Sequence, residues 1–241
     1  MAAVILRAQG LSRAFGGVRA VDAVDFDLAQ GEIQALIGPN GAGKTTFVGL
    51  LSGRIAPDAG RITVGTQDIT KMPAYRRVQL GIAYTFQITS IFPGLSVFDN
   101  VALAVQSRGA RELDAAVAEA LHRVGLTDHP GKTAGTLSYG HQRLLELAMG
   151  LALQPRILIL DEPTQGLAAG EIEGFTALIR TLVPKMTVLL IEHNMDVVMD
   201  LADRITVLNQ GLVLARGTPA EIRANTAVQA AYLGGSVDDT A

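Results

Sequence analysis

The fold is decided by one stretch, Gly38–Pro39–Asn40–Gly41–Ala42–Gly43–Lys44–Thr45–Thr46. It follows a strand-like run at residues 33–37 and precedes a helix-like run at residues 46–52. Glycines let successive backbone N–H groups point inward, and the N-terminus of the following helix favours an anion. Glycine, four residues and then Gly-Lys-Thr is the P-loop pattern. The stretch therefore predicts that the chain binds a nucleoside triphosphate, with Lys44 on the β/γ-phosphates and the Thr45 hydroxyl on Mg²⁺.

Acidic residues follow a second strand-like run. Residues 157–160 read Ile-Leu-Ile-Leu, and Asp161 and Glu162 come directly after them. A parallel strand buried on both faces needs such an apolar run, and ligands bind beyond the carboxyl ends of these strands. We therefore predict that Asp161 faces the Mg²⁺ and that Glu162 orients the attacking water or accepts its proton. The alternative is a polar loop with no catalytic role.

A further candidate anion site begins at residue 137, where the sequence reads Leu-Ser-Tyr-Gly-His-Gln-Arg. Ser138 is the predicted N-cap of an amphipathic helix, and Gly140 would let a ligand approach the backbone closely. The N-terminus of that helix favours an anion. Taken alone, the pattern is more typical of a well-capped core helix.

The remaining periodicities predict an α/β fold. Val24, Phe26 and Leu28 alternate with polar residues, which indicates an antiparallel sheet with one solvated face. From residue 154 onward strands alternate with helices, which predicts a mostly parallel sheet. We predict one P-loop NTPase domain over residues 1–236, with an N-terminal antiparallel β subdomain, core segments 1–87 and 154–236, an inserted helical subdomain at about 88–153, and a flexible tail at 237–241.

Composition excludes several classes of protein. The 241 residues are 49% hydrophobic, which suffices for a full core. The net charge is −3 with both signs mixed along the chain, so we expect no nucleic-acid partner. There is no cysteine, which excludes disulfides and thiolate metal sites. No apolar run approaches the ~20 residues that span a bilayer, so we expect any membrane role to need a partner.

The order of these elements resembles the ATPases of ABC transporters. Gln87 follows a strand-like run after the P-loop, Leu-Ser-x-Gly precedes the Asp-Glu strand, and His193 follows the next strand. The Leu-Ser-x-Gly element is this family's own marker among P-loop proteins, and the resemblance covers about residues 6–234. It implies the ABC ATPase fold, with ATP and Mg²⁺ as its ligands and ATP hydrolysis as its activity.

The resemblance also implies roles for single residues. Phe15 is similar to the aromatic residue that stacks on adenine, for which a flat π-face suffices. Its alternative is a strand core residue. Gln87 is similar to the glutamine that touches Mg²⁺ and the attacking water and senses the membrane partner. His193 is similar to the switch histidine that contacts the γ-phosphate, and its alternative is a polar cap at the end of a strand.

Two ATPase subunits face each other head to tail in this family. The resemblance thus implies that Ser138, Tyr139 and Gly140 meet the γ-phosphate held by the P-loop of a second subunit, either a copy or a paralogue. The sequence departs from the family pattern in two elements. Tyr139 and His141 stand where Gly and Gln are usual, and Ala168 replaces the aspartate whose hydrogen bond couples the two nucleotide sites.

Leu-Ser-Tyr-Gly, with Gly-Leu in the later loop, is similar to the ATPases of branched-chain amino acid importers and their amide and urea relatives. Residues 14–21, 85–87, 191–195 and 231–234 agree with that group. We therefore expect transmembrane permease partners, an indirect solute-binding protein, and a peripheral location on the cytoplasmic face of the inner (plasma) membrane. The alternatives are the ATPase of a lipid or lipopolysaccharide exporter, a non-transport ABC ATPase, and a nucleotide-binding module without turnover.

The permease is expected to dock on a segment running from Gln87 to Val101. The segment reads as a loop that is more apolar than solvent favours, because it contains Ile88, Ile91, Phe92, Pro93, Leu95, Val97 and Phe98. Apolar patches with polar rims often mark interaction sites. The alternative is that these side chains pack inside the subdomain.

Overall fold

The computed structural model describes residues 3–85, 90–183 and 185–233. Its strands are β1 (Val4–Phe15), β2 (Val18–Ala29), β3 (Ile33–Ile37), β4 (Ala59–Val64), β5 (Gln67–Asp68), β6 (Ile82–Thr85), β7 (Ile157–Asp161), β8 (Thr187–Ile191), β9 (Arg204–Asn209) and β10 (Leu212–Gly217). Its helices are α1 (Lys44–Ser52), α2 (Ala74–Gln79), α3 (Val97–Ser107), α4 (Leu113–Arg123), α5 (Tyr139–Ala152), α6 (Ala169–Leu182), α7 (Met195–Leu201), α8 (Pro219–Ala224) and α9 (Thr226–Leu233). The chain forms two compact units: unit 1 is residues 1–77 with 183–241, and unit 2 is residues 78–182.

The antiparallel sheet of unit 1 has the strand order β2-β1-β4-β5. Val24, Phe26 and Leu28 on β2 are at most 2% exposed, while Asp25 and Asp27 between them face solvent. The alternation predicted for this strand is therefore present. It follows from the two-residue period of a strand, which turns successive side chains to opposite faces.

The parallel part of unit 1 has β3 at its centre. β3 pairs in parallel with β8 on one side and with β9 on the other, and β10 runs antiparallel to β9. Every residue of β3 and of β8 is buried. Strands covered on both faces need mostly apolar residues, and each of these strands has one buried polar residue, Gln34 in β3 and Thr187 in β8.

The helix that follows the P-loop is tied down at its C-terminal end by Arg77. This side chain is 1% exposed, and its guanidinium donates to the carbonyl oxygens of Leu50 at 2.7 Å and Leu51 at 2.8 Å. Burial lowers the pKa of Arg77 to about 10, so the side chain stays charged at neutral pH. A cation bound to the last carbonyls of a helix also complements its dipole. The geometry of α1 is thereby fixed at the end remote from the phosphate loop.

Unit 2 contains β6 and β7 in parallel, with Tyr84 opposite Ile159 and Thr85 opposite Leu160. Helices α3, α4 and α5 lie between these strands in the chain and pack against one another. Unit 2 also includes β6, β7 and α6, so it is larger than the helical subdomain predicted at 88–153. The bounds of that subdomain stay a prediction.

One detail of the predicted elements needs correction. The expected docking loop ends early, because α3 begins at Val97 with Ser96 as its N-cap. The Ser96 hydroxyl accepts from the Asp99 N–H at 3.0 Å, which is the bond that starts a helix there. Helix α8 begins at Pro219 and is followed by a separate helix, α9. Across the described residues, no helix combines the length and apolar character that a bilayer crossing requires.

Candidate functional site

The phosphate loop is shaped by glycines that other residue types cannot replace. Gly43, the N-cap of α1, has φ +96°, and a Cβ there would lie 2.1 Å from the carbonyl oxygen of Ala20. At Gly38 a Cβ would lie 2.1 Å from the carbonyl oxygen of Leu208. Both close approaches are to backbone atoms, which have little room to move. The loop is therefore clamped between the β1–β2 sheet and the end of β9.

Lys44 is folded back over the loop. It is 7% exposed, and its ammonium donates to the carbonyl oxygens of Gly38 at 2.6 Å and Pro39 at 3.0 Å. A phosphate oxygen is a charged acceptor and forms stronger bonds than these neutral carbonyls. Thr45 is exposed and Thr46 is half-buried, so the first turn of α1 is accessible. The arrangement fits a triphosphate above the N-terminus of α1.

His193 lies at the same sheet edge as the phosphate loop. Leu36 of β3 pairs with Ile191 of β8, and Gly38 and His193 each come two residues later. The backbone of His193 is held because its N–H donates to Glu192 Oε2 at 3.0 Å, while its side chain is exposed. Within unit 1, the phosphate loop and His193, which are both predicted to contact phosphate, therefore lie at the same edge of the sheet.

Phe15 ends β1 and is 45% exposed, so it is not a strand core residue. The guanidinium carbon of Arg13 lies 4.7 Å from the centroid of its ring. A cation over one face of an aromatic ring leaves the opposite face for stacking. The predicted role in adenine stacking is compatible with this placement and stays a prediction.

The acidic pair of unit 2 is buried at the carboxyl end of β7. Asp161 is 5% exposed and Glu162 is 8% exposed. Asp161 Oδ2 accepts a hydrogen bond from the Tyr84 hydroxyl on β6. Glu162 has φ +49°, a left-handed conformation that is uncommon for a residue with a Cβ. The catalytic role predicted for Glu162 is compatible with this placement and stays a prediction.

Ser138 is the N-cap of α5, as predicted. Its hydroxyl accepts from the His141 N–H at 3.3 Å and lies 3.1 Å from His141 Nδ1. Gly140 has a role inside its own unit, since a Cβ there would lie 2.3 Å from Glu171 Oε1. Glu171 also accepts from the Ala168 N–H at 2.9 Å. The start of α5 and the loop before α6 are thus in contact.

Tyr139 differs from the glycine that is usual in the family, and its ring packs against the loop before α6. A Cβ at Gly166 would lie 2.9 Å from Tyr139 Cε1, so the ring rests against this glycine. The guanidinium of Arg143 lies 5.4 Å from the ring centroid on the same helix. Tyr139 remains 42% exposed. The bulky residue at a position where the family usually has glycine therefore has its own packing partner.

Gln87 lies outside the described residues, as do Ile88 and the predicted tail at 237–241. Within the described part of the chain, no group of three or more His, Cys, Asp or Glu side chains could hold a metal. Mg²⁺ fits this chemistry because it is usually held by one or two protein oxygens, phosphates and waters. The predicted oxygen donors, the Thr45 hydroxyl of unit 1 and the Asp161 carboxylate of unit 2, stay predictions.

Three residues of these sites were missed in the sequence: Tyr84, Glu171 and Glu192. Each acts through a hydrogen bond or a close contact to a predicted site residue. Glu192 is next to His193 in the chain, so its contact with His193 could have been predicted from the sequence. Tyr84 and Glu171 became recognisable only once strand pairing and helix packing were known.

Comparison with known proteins identifies the class. A family model described as "ABC transporter" matches residues 21–165, and one described as "Branched-chain amino acid ATP-binding cassette transporter" matches residues 213–238. The chain belongs to the ABC transporter ATPase family, and it is the ATP-binding subunit of an ABC transporter.

The relatives narrow this assignment. The chain is 39% identical to the high-affinity branched-chain amino acid transport ATP-binding protein BraF of Pseudomonas aeruginosa, over 97% of this chain and 99% of BraF. It is 40% identical to LivG of Salmonella typhimurium, which has the same description, over the same shares. The predicted resemblance to the branched-chain importer ATPases is confirmed.

Solved structures agree with the fold. The ADP conformation of MJ1267, an ATP-binding cassette, has a TM-score of 0.88 and 27% identity, over 96% of this chain and 99% of that one. A nucleotide-free ATP-binding cassette has a TM-score of 0.87 and 27% identity, over 95% and 99%. The predicted ABC ATPase fold is confirmed, and members of this family bind nucleotide and hydrolyse ATP.

Proposed function

We propose that this subunit hydrolyses ATP with Mg²⁺ to power the import of branched-chain amino acids or related small polar solutes. The observation that carries the proposal is the likeness to BraF and LivG along 97% of the chain. The separate match at residues 213–238 supports it, because that segment lies outside the phosphate-binding machinery.

The chemistry is divided among the predicted residues. Lys44 and the backbone N–H groups of residues 38–46 bind the β- and γ-phosphates, and Phe15 stacks on the adenine. Thr45, Gln87 and Asp161 would hold Mg²⁺, which would supply positive charge at the phosphate oxygens. Glu162 accepts a proton from the attacking water or orients it, and His193 donates to the γ-phosphate as charge moves onto its oxygens.

A second ATPase subunit completes each nucleotide site. Ser138, Tyr139 and Gly140 at the N-terminus of α5 offer a hydroxyl and backbone N–H groups to the γ-phosphate bound by that subunit. Hydrolysis is then a property of the dimer. A dilute, demonstrably monomeric sample should show almost none of the specific ATPase activity of the paired subunits, and full activity in the monomer would contradict the head-to-tail arrangement.

The permease docks on an apolar groove of unit 2. This groove has a volume of about 290 Å³, and its lining includes Tyr84, Phe92, Leu103, Met149 and Leu153. Phe92 is 52% exposed and Leu103 is 42% exposed. Apolar residues at this exposure around one groove are typical of a protein interface.

The backbone beneath Phe92 is held rigidly. The buried Asn100 side chain accepts from the Phe92 N–H at 2.7 Å and donates to the Phe92 carbonyl oxygen at 3.1 Å. Val97 and Val101 are fully buried, so this half of the predicted docking segment packs internally. Within the described part of the segment, Phe92 is therefore a candidate for docking, whereas Val97 and Val101 pack inside the subdomain. Docking there would place the subunit on the cytoplasmic face of the membrane.

The solute is tested by transport. The subunit is reconstituted with its permeases, a second ATPase subunit and the solute-binding protein, and ATP-dependent uptake of labelled leucine into vesicles is measured with other solutes as competitors. Uptake that requires both ATP and the binding protein is expected. Outward movement of lipid without any amino acid uptake would favour the exporter alternative and overturn the proposal.

A further inference from the structure

Tyr84 contacts both the metal-site carboxylate and the apolar groove. It lies on β6 opposite Ile159 of β7 in a parallel register. Residues 159 and 161 point to the same face of β7, because side chains alternate along a strand. Two residues of a strand span roughly 6.6 Å, about the reach of a tyrosine side chain leaning along the strand. The Tyr84 hydroxyl accordingly donates to Asp161 Oδ2.

This bond limits how the carboxylate turns. The last torsion of an aspartate side chain is broad and roughly two-fold, so an unrestrained carboxylate samples several orientations. Asp161 is 5% exposed, and a buried carboxylate needs hydrogen-bond donors to offset its desolvation. A carboxylate accepts several bonds, so Tyr84 leaves capacity for a metal or its water.

The same residue lines the groove, together with Phe92, Leu103 and Met149. A partner that enters the groove therefore meets the residue whose hydroxyl bonds Asp161.

We propose that Tyr84 is a positioning residue, which fixes Asp161 for Mg²⁺ through its hydroxyl and conveys occupancy of the groove through its ring. This inference rests on the proposed function, which supplies both the Mg²⁺ and the partner in the groove. Tyr84→Phe removes only the hydroxyl and keeps the groove lining.

The test is ATP binding to the full chain, measured by calorimetry with Mg²⁺ and with EDTA. In Tyr84→Phe we expect affinity in EDTA to be unchanged and the tightening caused by Mg²⁺ to fall about 10-fold, the effect of losing one hydrogen bond to a charged group. Tyr75→Phe is the control, because Tyr75 is 64% exposed in unit 1. A purely structural role would instead weaken binding under both conditions.

Three results would decide the matter. An unchanged response to Mg²⁺ in Tyr84→Phe would overturn the inference, whereas a wild-type chain that binds no ATP would overturn the proposed function itself. In complexes co-purified with the membrane subunits, docking should shift the Mg²⁺ response of the wild type and not that of Tyr84→Phe. Equal shifts in both proteins would overturn the role of the ring.

Discussion

The phosphate loop of unit 1 and the acidic pair of unit 2 are built by different physical means. The loop owes its shape to backbone: at Gly38 and Gly43 a side chain would collide with carbonyl oxygens. The acidic pair instead consists of buried side chains, and Asp161 is oriented by the hydroxyl of Tyr84 from a neighbouring strand. A backbone-built site tolerates almost no added atoms, whereas a site built by side chains is sensitive to the loss of single polar atoms.

The largest effect is expected from Glu162→Gln, which changes one atom of the acidic pair. Turnover should fall by at least about 100-fold, because general-base assistance is worth that much or more. Binding of ATP should persist, and the ATP-bound dimer should accumulate in size-exclusion chromatography. Glu173→Gln on the exposed face of α6 is the matched control. Substantial hydrolysis by Glu162→Gln would show that Glu162 is not the general base. It would also show that the acidic pair is less sensitive to the change of a single polar atom than we expect.

The phosphate loop is tested by adding one carbon atom. Gly43→Ala places a Cβ 2.1 Å from the carbonyl oxygen of Ala20. Left-handed backbone and overpacking together should cost about 3 kcal/mol of unfolding free energy. ATP binding should weaken in parallel, because the loop must shift.

Gly41→Ala is the control for this experiment. Its φ is also left-handed, but a Cβ there meets nothing within 4 Å. It should cost only about 1 kcal/mol, the conformational part alone. Denaturant unfolding of both variants measures the difference. Equal losses would mean that backbone conformation, and not the close approach, makes Gly43 necessary.

A smaller effect than at Gly43 is expected at Gly166, where the close neighbour is a side chain. A Cβ at Gly166 would lie 2.9 Å from Tyr139 Cε1, and the ring has freedom to move away. Gly166→Ala should therefore cost about 1–2 kcal/mol of unfolding free energy.

A double-mutant cycle with Tyr139→Gly sharpens this prediction. Without the ring, the cost of Gly166→Ala should fall to its conformational part, with a coupling energy of about 0.5–1 kcal/mol. Additive costs in denaturant unfolding would show that the ring and the glycine do not interact. Tyr139 would then have no packing partner at Gly166.

Elements that depend on neighbouring residues alone could be predicted from the sequence. The P-loop, the buried strands β3, β7 and β8, and the N-cap at Ser138 each follow from a residue pattern acting over a few positions. The sequence also predicted that His193 follows a buried strand, whereas the pairing of that strand with the one before the P-loop is a tertiary contact. Family resemblance added the assignment of these parts to an ABC ATPase.

Contacts between residues far apart in the chain depend on the packing of the whole fold. The bond from Tyr84 to Asp161 needs the register of β6 against β7, and the contact of Gly166 with Tyr139 needs the packing of a loop on α5. Whether an apolar residue such as Phe92 or Val97 is exposed likewise depends on what packs against it. Local patterns specify the backbone of a segment, but its partners are set by the free energy of the whole packed chain.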